Sequence, residues 1–166
     1  MKTCQLINAL LILSAVNLTF MIPGGFIESR DFSHISPLIL GIFNSFLTAL
    51  GIVSLFLVYF INKQYGWAYR IALFCGISYC IVYTIDLAGI FPQSPSPMPI
   101  LLLILETLGT ILSIPLIFYT IRKMKESKNK VNITGFSKSL YGFIAIAIVI
   151  GLGIIIFATH AAMTEK

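Results

Sequence analysis

Five runs of roughly twenty apolar residues, parted by short polar stretches, make up nearly the whole chain. They cover about residues 5–22, 37–61, 68–90, 99–121 and 139–160. A helix needs about 20 such residues to cross a hydrocarbon core of about 30 Å. The pattern therefore predicts an all-α integral membrane bundle with five transmembrane helices in one domain, residues 1–166. Loops this short join antiparallel neighbours. No stretch outside the runs is long enough for a soluble domain, and no convincing internal repeat is present. A cleaved signal peptide is the rival reading of the first run. Its best cleavage candidate, Leu13-Ser14-Ala15, has a bulky residue at the first small position, so an uncleaved anchor is expected.

Within the runs, small and polar residues fall on one helical side and bulky ones on the other. In the second run Gly41, Asn44, Ser45, Thr48, Ala49 and Gly51 oppose Ile42, Phe43, Phe46, Leu50, Val53 and Leu57. In the third, Ala72, Cys75, Gly76, Tyr79, Tyr83, Asp86 and Gly89 share a face, and in the fourth Glu106, Gly109, Thr110, Ser113 and Thr120 do. In the fifth, Gly142, Ala145, Val149, Gly153 and His160 line one side. Small faces let helices approach in lipid, and polar side chains bond across the contact, so these faces are expected to point inward. Pro115 is expected to kink the fourth helix and free the carbonyl of Ile111.

Composition agrees: 58% of residues are hydrophobic and only 10% charged, against roughly a quarter charged in soluble domains. The formal net charge is +5. It gathers in the loop 122–138, where orientation and anionic lipid explain it better than nucleic acid does. Lys2, Lys63, Arg70, Arg122, Lys123, Lys125, Lys128, Lys130 and Lys138 fall on one side, and only Arg30 and Lys166 on the other. That bias places the N-terminus inside and the C-terminus outside. The Asn132-Ile133-Thr134 sequon is then cytoplasmic and not a glycosylation site. Cys4, Cys75 and Cys80 have neither redox nor metal-ligand spacing and read as packing residues.

Polar groups converge on the outer half of the membrane. The segment 83–106 is a hairpin with Asp86 before a proline-rich connector and Glu106 after it. At 1.5 Å per residue, Asp86 is expected about 7 Å and Glu106 about 10 Å inside their helix ends. Asn17 and Asn44 fall at similar depth, while the inner half looks much more apolar. Arg30, Asp31 and His34 lie above, on a loop whose Phe32 and Ile35 suit a membrane surface. A charge at mid-bilayer costs roughly 2.5–3.5 kcal/mol, so the acids must be protonated, paired or wet. Arg30 is the natural partner, bridging to Asp86 or Glu106. The candidate ligand or polar-network residues are therefore Arg30, Asp31, His34, Asn44, Tyr83, Asp86 and Glu106. They have two readings, a tie between hairpin, loop and bundle, or a pocket open to the outside. His34 and His160 read as ordinary surface groups, and no metal, cofactor or catalytic residue is assigned.

The segments ESRDFSHISP at 28–37, DLAGIFPQSPSPMP at 86–99 and LLILETLG at 102–109 resemble a family of small uncharacterised multipass proteins of bacterial membranes. The likeness covers about half the chain and implies no activity. The tryptophan-rich translocator family does not fit, since Trp67 is the only tryptophan. There is no HExxH, GxSxG, CxxC or nucleotide loop. The expectation is a non-catalytic accessory, assembly or sensing component of a cell membrane, its partners lipid, anionic lipid at the basic loop, and a second membrane protein. The alternative is a small proton-coupled carrier using Asp86 and Glu106. Access from both sides and internal repeats, which many carriers show, are not evident.

Overall fold

A computed structural model describes residues 2–23, 27–126 and 138–163. It has five α-helices and, among the described residues, no strand: α1 (Lys2–Phe20), α2 (Pro37–Asn62), α3 (Gly66–Leu87), α4 (Ile100–Glu126) and α5 (Lys138–Met163). All five are long and apolar enough to cross a membrane. Lys128, Lys130, the sequon and Lys166 lie outside the described residues.

Local chemistry sets the ends. Pro37 occupies the first turn of α2, where its missing N–H costs nothing. The α3 helix stops at Leu87, three residues earlier than its apolar run. Gly89 takes φ +64° there, and the N–H groups of Gly89 and Ile90 return to the carbonyls of Asp86 and Ile85. This paired closure is a Schellman motif, and glycine adopts its left-handed residue without strain. Asp86 consequently lies in the last turn of α3, shallower than the expected depth. The α4 helix runs on past Pro115 to Glu126.

Helices α1, α2, α3 and α4 pack in a closed ring, and α5 packs on α2 alone among the helices. Most of the expected α3 face is buried, Ala72, Cys75, Gly76, Tyr79, Tyr83 and Asp86, extended by Ala68, Tyr69 and Ser78; Gly89 is not part of it, being exposed beyond the helix end. In α4, Leu102, Glu106, Gly109, Ser113, Leu116 and Thr120 are buried. Their alternating spacing of four and three keeps one seam turned to α3 over the length of the helix. Two expected faces need correction. In α2, Leu50 and Leu57, assigned outward, are buried. This helix sits between two neighbours: its leucines enter the ring, and its Gly41–Asn44 side meets Thr159 of α5. In α5, Gly142, Ala145, Val149, Gly153 and His160 are exposed, and the buried positions are Gly151, Ala158 and Ala162. A methyl on Gly151 would stand 2.9 Å from Ile52 Cδ1, so this glycine makes room for the Ile52 side chain of α2.

The basic end is more polar inside than expected. Asn8 donates to Asn62 at 2.6 Å, Cys4 and Tyr69 are in contact at 3.4 Å, and Tyr79 donates to Ser54 at 3.0 Å. Neutral side chains of this kind tie helices where apolar contacts with lipid tails would not distinguish inside from outside. The three cysteines are free thiols, Cys4 and Cys75 buried and Cys80 half-buried.

Candidate functional site

The opposite end of the bundle is organised by the segment after α1. Glu28, Arg30 and Phe32 are buried, while Ser29 between them is exposed and Asp31 half-exposed. Alternation of this kind places every second side chain of an extended segment on one side. That side faces the bundle, so the loop folds over the helix ends.

Arg30 is the hub. Its Nη1 and Nη2 donate to the two Asp86 oxygens at 2.8 and 2.9 Å. Its Nε and Nη2 donate to Glu28 at 3.0 and 2.6 Å. The guanidinium is thus forked twice, the geometry in which arginine outperforms a point charge. Its Nη2 also lies 3.9 Å from Glu106 Oε1, and its Cζ sits 5.2 Å from the Phe32 ring centroid. Burial alone would loosen the Arg30 proton. The hydrogen bonds to Asp86 and then to Glu28 outweigh it, and the guanidinium is held above its ordinary value. The expected bridge to Asp86 is therefore present, with Glu106 at longer range. Glu28, absent from the candidate residues, completes it.

Glu106 is the anomaly. Its side chain is fully buried, with 0% exposure. Neither carboxylate oxygen has a hydrogen-bond partner among the described residues. It interacts electrostatically with Asp86, Arg30 and Glu28. Beside it, Asn17 donates to the Leu105 carbonyl at 3.0 Å and to the Tyr83 hydroxyl at 3.4 Å. Gly109 supports this arrangement, because a methyl there would overlap the Tyr83 ring.

The remaining candidates take other places. Asp31 serves the loop: its carboxylate accepts from Ser33, its N–H donates to Ser96 Oγ and its carbonyl accepts from Ser94 Oγ. These bonds stitch the loop to the proline connector. His34 is exposed. Asn44 is buried and donates to Thr159 of α5 at 3.2 Å.

A cavity of about 230 Å³ opens next to the cluster. Glu28, Arg30 and Asp86 border one end, and Leu18, Leu47, Ile52, Leu55 and Ile154 line its length. A second cavity, of about 470 Å³, lies along α2 and α5 toward Trp67 and has no charged residue in its wall. Among the described residues no group of three His, Cys, Asp or Glu side chains is arranged to hold a metal.

Residues 3–134 match a family described only as a domain of unknown function, DUF8051. The chain belongs to that family. The match takes in α1 to α4 and therefore every member of the Arg30 cluster, while α5 lies beyond it. No curated protein and no solved structure matches the chain.

Proposed function

We propose that this chain is a non-catalytic component of a bacterial cell membrane, an accessory, assembly or sensing protein whose working part is the layer around Arg30 in the outer half of the bilayer. The observation that carries this reading is Glu106, a fully buried carboxyl without a hydrogen-bond partner beside a guanidinium already engaged elsewhere. A tie that served packing alone would satisfy the polar groups it buries. One left unsatisfied behind Glu28, Arg30 and Asp86, which border the cavity, suits a layer that a ligand or partner group completes. Native mass spectrometry of protein extracted gently from its own membrane tests the reading. A polypeptide or small molecule that accompanies the wild type and is lost in Glu106→Gln supports it; bare protein in both overturns it.

The second reading is a proton-coupled carrier. It draws on orphaned buried polar atoms of Asn8, Ser14 and Thr120, which run from the level of the cluster toward the basic end. Here Glu106→Gln is expected to abolish proton flux in liposomes while the protein stays folded.

A further inference from the structure

The cavity beside Arg30 is long, apolar and charged at one end only. Its wall runs along α2 from Leu40 to Leu55, about 22 Å at 1.5 Å per residue. Ile150, Ile154 and Ala158 of α5 form another side. Among the described residues α5 packs on no helix but α2, so the side between α5 and α1 is the one left without a covering helix. Pro23, Phe32 and Pro92 border the cavity at its charged end, and the Phe32 N–H is bonded to the Ala162 carbonyl there. The open approach is therefore lateral.

The charged end has a definite sign. Its wall holds two carboxyls, Glu28 and Asp86, and one guanidinium, with Glu106 behind them and outside the wall. Two carboxylates against one guanidinium leave the balance negative. Four of the five Arg30 N–H groups already donate to Glu28 or Asp86, so a sulfate, phosphate or carboxylate head would add a negative charge to a cation already matched twice. An ammonium head would instead meet the carboxylate excess.

We infer that this cavity takes a single-chain amphiphile with a cationic head, which arrives from the bilayer, lays its chain between α1, α2 and α5, and sets its ammonium against the Glu28 and Asp86 carboxyls that border the charged end. This deepens the reading of the Arg30 layer as a binding site and rests on it. Gly51 offers a way to block the chain channel without touching the charges: it lines the cavity, and a methyl there has only Leu18 Cδ2 near it, at 3.8 Å.

The test uses the full-length protein in phosphatidylcholine nanodiscs and an alkylammonium probe carrying a photoactivated diazirine in its chain, with adducts mapped by peptide mass spectrometry. Adducts are expected on α1, α2 and α5 residues of the cavity. Excess dodecylammonium should compete at least about tenfold better than dodecyl sulfate or dodecanol, the factor that one charge-assisted hydrogen bond supplies. Gly51→Leu should remove the adducts at unchanged melting temperature. Glu28→Gln, which removes one carboxylate from the cavity wall, should weaken labelling. Equal competition by the anionic or neutral chain would overturn the cationic assignment and leave the cavity as a binding site. Adducts spread over all lipid-facing helices, unchanged in Gly51→Leu, would overturn both.

Discussion

At the scale of single residues, the arithmetic of charge decides what each substitution does. Arg30 holds two carboxylates directly and a third at 3.9 Å. Arg30→Met would leave three buried acids with no cation, and breaking a buried pair from one side costs about 3–5 kcal/mol. Denaturant unfolding in detergent should show a loss of that size. Asp86→Asn removes one forked partner and should cost less, about 1.5–3 kcal/mol. Glu106→Gln should cost least, because no Arg30 hydrogen bond is lost and the amide keeps the size of the carboxyl. The opposite ranking of Asp86 and Glu106 would show that Glu106 carries the bridge. Gly109→Ala belongs to a different mechanism, since its methyl collides with the Tyr83 ring. It should destabilise by about 1–3 kcal/mol, the usual cost of overpacking. A double-mutant cycle with Tyr83→Ala should show strong coupling between the two sites. Arg30, Asp86 and Glu106 were readable in the sequence because an ionised group among apolar residues needs a partner and few were in reach. Glu28 was missed because four charged or titratable residues crowd positions 28–34. The signal that singles it out is the alternation of Glu28, Arg30 and Phe32, a strand-like period inside a loop.

At the scale of the helices, legibility follows contrast. The faces of α3 and α4 were plain because tyrosines, acids and small residues interrupt bulky aliphatics at helical spacing. The α5 segment offers no such contrast. Gly142, Gly151, Gly153 and five alanines spread around a helix of isoleucines, so several stripes look equally suited to packing. The choice was made by α2, whose Ile52 and Thr48 approach Gly151. Gly151→Leu should therefore push α5 off α2, since the nearest atom already lies 2.9 Å from the first added carbon. Gly153→Leu, on the exposed side, should not. A disulfide engineered between Gly41→Cys and Thr159→Cys, whose positions face each other across the seam, reports this contact. Its yield should fall severalfold with Gly151→Leu and stay level with Gly153→Leu. Helix ends were legible only in part: glycine at position 89 marks the stop of α3, yet the apolar run continues to Ile90. Hydropathy registers lipid exposure, whereas the Schellman hydrogen bonds decide where the helix turns.

At the scale of the molecule, the two ends of the bundle are built differently. One end gathers Lys2, Lys63, Arg70, Arg122, Lys123 and Lys125 outside a set of neutral polar pairs. The other folds its one arginine inward among carboxylates and sews the first loop to α3, the proline connector and α5. Arg30 is thereby removed from the surface charge that membranes read, which sharpens the asymmetry beyond the count of lysines and arginines. The positive-inside rule predicts the basic end on the cytoplasmic side. A reporter active only inside the cell and fused within residues 127–137 should be active, and one active only outside should be active when fused after Met163. The contribution of the basic loop is separable from that of the fold. Changing Arg122, Lys123 and Lys125 to glutamine leaves the ring of α1 to α4 untouched, because none of these side chains enters the Arg30 cluster or the neutral pairs. These three cations lie in the last turns of α4, which runs on to Glu126 into the segment expected as loop; without them a mixed orientation is expected, seen as a loss of reporter polarity. Unchanged polarity would mean that Lys2, Lys63 and Arg70 set the orientation as the first helices insert. The basic loop would then be left with lipid or partner contacts as its role.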